Sequence, residues 1–503
     1  MIWALNYRPV TAPLLFVLVA MLLSGQSSDL VRRSQAAAAA MQKGSFDEAA
    51  RMYQELVRAV PGDAGLLMNL GMALAMGGHE AEAIGPLERA IKLKPSLVPA
   101  QLFLGSSYLA LGEAGKAVPP LERAVAAEPS NIEYRRLLAR AYAESDRALD
   151  AARELRAITE LNPKLPAAWY ALFLAYNDVA QEAIASFAEN SSDKGWQDLL
   201  LADALAADGR FTDAFPVYRD ALAALPSMVT IHDAIARIYE QTGHPDWASI
   251  ERTKGQLSQA QCAKRQALCA FRAGRYRTAL SAAGAAKGPE SRYWRARAAT
   301  ELTKEALDRL DRLPDSRERR EARAAIATAD RRYPDAVSEL KAALQFAPKD
   351  VGLMGQLGTT LYLSRDYESA LQVLGPVVEQ PPASEDVRVL TAYGDSLLQM
   401  DRVEDAVRYL RRAFTADTSD RAASLSLARA YIRQGEFRAA LPLLEWQLAG
   451  DTDGSVHVLL SRTLAGLGQT EKAEAMLAKS QELQRAAQQR AEEAGKRAIT
   501  PPK

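Results

Sequence analysis

The chain has 503 residues, with 62 Lys+Arg against 62 Asp+Glu. The absence of net charge excludes functions that depend on a bulk electrostatic field, a charge-driven grip on nucleic acid among them. A content of 48% hydrophobic and 25% charged residues excludes a disordered or multi-span membrane chain, and two cysteines and four histidines are too few for a disulfide framework or several metal centres.

Residues 1–25 read as a targeting segment. Arg8 precedes an uncharged run over 10–23 in which Leu14, Leu15, Phe16, Val17, Leu18 and Val19 stand together, followed by Ser24 and Gly25. A membrane-spanning helix needs about 20 apolar residues, so the run is short for a permanent anchor and export is expected. Leu22 and Leu23 stand where a small residue is wanted before a cut, so the segment is either a cleaved signal peptide or a membrane tether through residues 10–23. No cysteine follows the run, which excludes acylation by the bacterial lipoprotein route. Pro9 and Pro13 argue against a buried first helix.

From residue 30 a period of 34 residues governs the sequence. Leu70-Gly71, Leu74, Gly78, Ala83, Leu87, Ala90 and Pro95 recur as Leu104-Gly105, Tyr108, Gly112, Ala117, Leu121, Ala124 and Pro129. They recur again as Leu138-Ala139, Tyr142, Ala151, Leu155 and Pro163. Ala37, Gly44, Ala49, Tyr53 and Pro61 occupy the same places in the stretch before. Later copies include Ala202, Gly209, Ala214, Tyr218 and Pro226, then Leu357-Gly358, Leu361, Ala370 and Leu374, then Gly394, Leu397, Ala406 and Leu410. The last are Leu427-Ala428, Tyr431, Gly435, Ala440 and Leu444, then Leu460, Leu464, Gly468 and Ala473.

The spacing predicts helical hairpins. Leu104 and Tyr108 share one face of a first helix, and Gly112 ends it. Ala117, Leu121 and Ala124 form one stripe of a second helix, which Pro129 stops. Small residues such as Gly105 and Ala117 mark where the two helices must approach closely. One hairpin cannot bury its own apolar face, so neighbouring copies have to stack. The pattern resembles the tetratricopeptide repeat family. That resemblance implies an all-α, right-handed superhelical solenoid whose concave surface, lined by first helices, holds a peptide or protein partner.

The expected organisation is a targeting segment over 1–25, an N-terminal array over 26–244, degenerate basic helical repeats over 245–335, a C-terminal array over 336–480, and a polar capping helix with a disordered tail over 481–503. Phe173 stands where a small residue is expected, and from 245 to 335 the period survives only in pieces, so length-altered hairpins are expected there. Glu474 to Lys496 suits the cap, with Pro501-Pro502 and Lys503 predicted to be disordered.

No P-loop, G-x-S-x-G or H-E-x-x-H motif occurs, and subtracting the repeats leaves no stretch for a catalytic domain. The chain is expected to act without a cofactor or catalytic metal. His79 is too far from the next histidine for a zinc site, and His232 and His457 fall where the family often has a packed aromatic residue. Cys262 and Cys269, in one continuous helix, would hold their Cα atoms roughly 10 Å apart, so no bridge between them is expected.

Three surfaces are candidates for a protein or peptide partner. On the groove side, Met68, Met72 and Met76 stand at i, i+4 and i+8 with Leu102, Ser106 and Leu109 beside them, and either receive an apolar segment or pack between helices. Arg136 and Arg140, then Arg429, Arg433 and Arg462, either bind carboxylates or form a solvated face. The family's clamp for C-terminal carboxylates is not carried over, because Ser34 and Ala38 stand where Lys and Asn would be. Over 262–299, Lys264, Arg265, Arg272, Arg275, Arg277, Lys287, Arg292, Arg295 and Arg297 face Glu290 alone, with Phe271, Tyr276, Tyr293 and Trp294 interleaved. This region is either a binding surface or neutralised by Glu301, Glu305, Asp308 and Asp311. The expected function is an exported or membrane-tethered scaffold that binds protein segments, with a regulatory arm or assembly factor of a cell-envelope complex as the alternative. An enzyme would require Arg272, Arg275, Arg292, Arg295 and Trp294 to converge on one pocket.

Overall fold

The computed structural model describes residues 26–188, 193–285, 287–379, 385–496 and 499–502, and the targeting segment expected over 1–25 lies outside them. Among the described residues the chain forms helices and no strand. The first four hairpins are α1 (Gln26–Gln42) with α2 (Phe46–Ala59), α3 (Ala64–Met76) with α4 (Glu80–Leu93), α5 (Val98–Ala110) with α6 (Ala114–Ala127), and α7 (Ile132–Ala143) with α8 (Ala148–Leu161). The long α9 (Pro166–Ala188) follows, then α10 (Lys194–Ala207) with α11 (Phe211–Ala224) and α12 (Thr230–Gln241) with α13 (Pro245–Lys254). The degenerate stretch contains α14 (Gln259–Lys264), α15 (Gln266–Arg272), α16 (Tyr276–Ala285) and another long helix, α17 (Pro289–Asp311). The hairpins resume as α18 (Arg317–Ala329) with α19 (Tyr333–Phe346), α20 (Val351–Leu363) with α21 (Tyr367–Glu379), and α22 (Val387–Gln399) with α23 (Val403–Ala416). The last are α24 (Arg421–Gln434) with α25 (Phe437–Glu445) and α26 (Ser455–Gly466) with α27 (Thr470–Lys496). The fold is the expected all-α tetratricopeptide-type solenoid. Helical contacts divide it into two units, one of residues up to Ala183 with Arg295–Leu313, the other of Ile184–Trp294 with residues from Pro314 onward.

The hairpins form because each local signal agrees with the next. Asp63, Asn131, Asp350, Asp386 and Asp420 cap first helices by accepting hydrogen bonds from backbone N–H groups one turn in. The turn between paired helices needs a left-handed residue, which Gly44, Gly78 and Gly112 supply at φ 76°, 81° and 74°. One period later Asp146 takes the same conformation at φ 57°, and Arg331, Arg365 and Asp401 do so further on. At the helix crossing, a Cβ on Gly105 would lie 2.5 Å from Leu121 Cγ, and Gly71, Gly358 and Gly394 face Leu87, Leu374 and Leu410 in the same way. These leucines are fully buried, each burial stabilising by about 1.5–3 kcal/mol. Copies are stapled together as well: the Tyr108 hydroxyl donates to Glu88 at 2.8 Å and, one period on, Tyr142 donates to Glu122 at 2.6 Å.

Most helical packing is between sequence neighbours, as stacked hairpins require. Some contacts reach further along the chain. α27 continues past its partner α26 to touch α11, and Ile499 packs against the core around α11 and α12. Pro501 and Pro502 follow this contact without regular secondary structure, with Pro502 half-buried, and Lys503 lies outside the described residues.

Cys262 and Cys269 form a disulfide, contrary to the expectation from a continuous helix. The chain breaks at Arg265, whose φ of −123° and ψ of 59° end α14 and start α15, and this brings the Cα atoms to 5.5 Å. Neither cysteine is free.

Candidate functional site

Within each unit, consecutive first helices pack directly on one another: α3 on α5, α5 on α7, α20 on α22, α22 on α24 and α24 on α26.

In the C-terminal hairpins this face is organised around Asp395, on α22 and only 5% exposed. Its Oδ2 accepts a hydrogen bond from the Tyr362 hydroxyl of α20 at 2.8 Å and one from the Ser426 hydroxyl of α24 at 2.8 Å. Three successive first helices are thereby joined through one oxygen. Burial pushes the Asp395 carboxyl above its usual range, opposed by the hydrogen bonds from Ser426 and Tyr362 and by the charge of Arg429. The Tyr362 phenol is raised by burial, by the negative charge of Asp395 and by its hydrogen bond to it.

Of the arginines expected on this face, Arg429 is exposed, lies within electrostatic reach of Asp395 and Tyr362, and makes no hydrogen bond or ion pair among the described residues. Arg462 occupies the equivalent position of α26 and is likewise exposed and unpaired among them. Arg433 is committed to structure: it donates to the Leu398 carbonyl at 2.5 Å and lies 3.8 Å from Asp401, tying α24 to the end of α22.

The N-terminal candidates separate. Met68 and Leu102 pack against the hydrophobic core and Leu109 is buried within it, whereas Met72 is half-buried and Met76 is exposed. Arg136 pairs with Glu133 at 2.7 Å and Arg140 with Glu144 at 2.6 Å, each within α7. Such pairs contribute only about 0.2–0.5 kcal/mol, and they leave the guanidinium groups at the surface.

Several basic side chains of the 262–299 stretch are engaged with separate carboxylates. Arg265 pairs with Glu290 at 3.1 Å, and Arg272 with Asp233 at 3.2 Å while donating to the Gly255 carbonyl. Arg292 pairs with Asp193 and lies over the Phe187 ring. Trp294 is 2% exposed, packed against Tyr293 and Phe271, with its indole N–H donating to Glu290. Arg275 is exposed, and Arg295 begins the segment that belongs to the other unit. For Arg265, Arg272 and Arg292 the neutralising partners are Glu290, Asp233 and Asp193 rather than the acidic run from Glu301 to Asp311. Glu301 is itself engaged with Lys304 at 2.9 Å.

Three of the four histidines lie against carboxylates: His232 by Glu251 at 2.6 Å, His457 by Asp451 at 2.6 Å and His79 by Asp47 at 3.0 Å. Burial pushes the Glu251 carboxyl up, but hydrogen bonds from Lys254 and His232 outweigh it and hold the group below its ordinary range. Among the described residues no cluster of three metal-ligating side chains occurs, and no helix is long and apolar enough to cross a membrane.

Sequence reasoning missed Asp395, Tyr362 and Ser426. The available signal was their spacing, close to one repeat on either side, which superimposing the copies brings onto adjacent helices.

Models of the tetratricopeptide repeat match residues 35–97 and 102–166, and again 397–457. No curated protein matches the chain. Among solved structures, residues 41 to the end of MamA from Desulfovibrio magneticus RS-1 are 25% identical over 29% of this chain and 82% of that one, with a TM-score of 0.28. A crystal structure of MamA protein is 23% identical over 30% and 83%, with a TM-score of 0.29. MamA of MSR-1 is 23% identical over 30% and 86%, with a TM-score of 0.28.

Proposed function

Since the chain belongs to the tetratricopeptide repeat family, we propose that it is an exported scaffold that lays an extended, acidic segment of a partner protein along the face of its first helices. The coarse role, a platform for protein–protein interaction, follows from the repeats themselves. The observation that carries the finer reading is the pair Arg429 and Arg462, one repeat apart on adjacent first helices and exposed without a hydrogen bond or ion pair among the described residues.

Two guanidinium groups at that spacing match carboxylates on successive parts of an extended segment, and each supplies a fork of donors that an acidic side chain accepts. The buried Tyr362–Asp395–Ser426 bridge fixes the helices relative to one another, so the arginines are presented without ordering the backbone at the moment of binding. Affinity then comes from area spread over several repeats and register from the arginines. Export is supported by the targeting segment and by the Cys262–Cys269 bridge, which suits an oxidising compartment.

The test is affinity capture from a cell-envelope extract with the full chain. Arg429→Glu/Arg462→Glu is expected to lose a partner that the wild type holds, by tenfold or more, equivalent to about 1.4 kcal/mol. Met72→Glu/Met76→Glu probes the N-terminal first-helix face, avoiding Met68 because it is packed in the core. Retention of every partner by both variants would refute the assignment of this face.

A further inference from the structure

The end of the chain is seated on its own earlier repeats. The carbonyl of Thr500 accepts a hydrogen bond from the Tyr239 hydroxyl of α12 at 2.7 Å, and its Oγ1 accepts one from the Arg219 guanidinium of α11 at 3.4 Å. Ile499 packs against the cluster that includes Phe215, Tyr239 and Trp247. The contact of α27 with α11 brings the tail to this place, with only residues 497 and 498 between the helix end and Ile499.

The receiving surface is built for an acceptor. With the tail docked, Tyr239 is 1% exposed, and among the described residues its hydroxyl has no hydrogen-bond partner except Thr500. A buried hydroxyl left without a partner is costly, so the tail satisfies a group the repeats themselves do not. Arg219 is half-buried: its guanidinium lies 5.9 Å from the centre of the Phe215 ring, and it adds a hydrogen bond to Thr500 at the rim of this surface. Phe215, Tyr239 and Trp247 form an aromatic row with centroids 5.6 and 5.5 Å apart, and His244 stacks on Trp247 at 4.0 Å. The segment is suited to such a surface. Pro501 and Pro502 have no N–H and a fixed φ, so an extended conformation is present before docking and little entropy is lost.

We propose that the α11–α12 surface is a receptor for a short extended segment of the pattern aliphatic–Thr–Pro–Pro, and that the C-terminal segment is its resident ligand in cis. The short tether holds the ligand at an effective concentration in the millimolar range, so a similar segment in trans binds only where the tail is released. This proposal is independent of the first-helix reading, because it uses none of the residues on that face.

The probe is a labelled peptide with the sequence of residues 495–503, GKRAITPPK, titrated by fluorescence anisotropy into the full chain. Ile499→Asp/Pro501→Gly, made in the full chain, is expected to release the tail and bind the peptide at least tenfold tighter than wild type does. Tyr239→Phe added to that variant is expected to weaken the peptide about fivefold, the loss of one hydrogen bond. Amide exchange over 211–241 is expected to rise in the released variant and fall again with peptide. Equal peptide binding by wild type and released variant, with unchanged exchange over 211–241, overturns the proposal. A concentration-dependent dimer that disappears in the released variant overturns the assignment in cis and places the tail on a second copy.

Discussion

Replacing both cysteines, Cys262→Ala/Cys269→Ala, tests the disulfide-closed joint where the expected continuous helix is broken at Arg265. The bridge spans a sequence separation of 7 and closes the break at Arg265. In the chain-entropy account, a loop this short restrains the unfolded chain by about 2.4 kcal/mol at 25 °C, a roughly 50-fold change in an opening equilibrium. Stability in a stacked array is a sum of local terms, so the loss belongs to α14–α16 and their immediate neighbours, not to the whole molecule. Amide exchange resolved along the chain is the suitable assay, because it reports local opening where a single melting temperature averages over many repeats. Protection should fall over 259–285 and remain unchanged in α20–α26. A loss distributed evenly along the chain, or none at the joint, would refute the account of a local staple. The same bridge makes a compartmental prediction. Protein taken from its native location and denatured without reductant should show no titratable thiol, and two free thiols would remove the bridge as an argument for export.

Two further perturbations read the packing and the buried carboxylate. Gly105→Ala places a methyl group 2.5 Å from Leu121 Cγ, whereas Gly85, in the middle of α4, has no atom within 4 Å of the added carbon. Overpacking costs about 1–3 kcal/mol and Gly→Ala gains about 0.5–1 kcal/mol in a helix, so Gly105→Ala should destabilise its hairpin and Gly85→Ala stabilise its own, read by urea unfolding or exchange. Asp395→Asn keeps an oxygen to accept from Tyr362 and Ser426 but removes the ionisation. The folded carboxyl is raised by burial, so its contribution is fully present below the unfolded pKa and is lost as pH rises through the folded value. The Asn variant should therefore gain stability relative to wild type as pH rises from acid toward neutral, measured as the difference in urea midpoints. A pH-independent difference contradicts the burial of that charge.

The hairpins were legible because the same physical demand returns every period. Gly78 and Gly112 show a left-handed turn as a letter, and Gly71 and Gly105 show a close helix crossing. Where the letter changes, the demand persists: Asp146, Arg331, Arg365 and Asp401 adopt the left-handed turn that glycine takes elsewhere. The period therefore locates the turn even where composition conceals it. The break at Arg265 has no such marker, since neither glycine nor proline stands there. Its trace is the Ser258–Gln261 capping box, which starts a helix too short to contain both cysteines.

Charge was less legible than periodicity for a different reason. Arg272 and Arg292 look like part of an uncompensated basic patch because their carboxylates, Asp233 and Asp193, lie 39 and 99 residues earlier in the chain. A window of sequence counts only neighbours, whereas stacking brings a repeat against residues a full period or more away. The same displacement hides Asp395, whose partners Tyr362 and Ser426 are 33 and 31 residues distant. It hides the tail contact most completely, with Tyr239 and Thr500 separated by 261 residues. Pro501-Pro502 does argue against a helix or a ladder strand, but lack of regular structure does not prevent docking. A segment that makes no internal hydrogen bonds still becomes fixed when a buried phenol and a guanidinium lack other partners, and Tyr239 and Arg219 meet that condition for Thr500. Periodicity thus reveals which faces a solenoid must build, while the choice of occupant rests on donors and acceptors that the repeats leave unsatisfied.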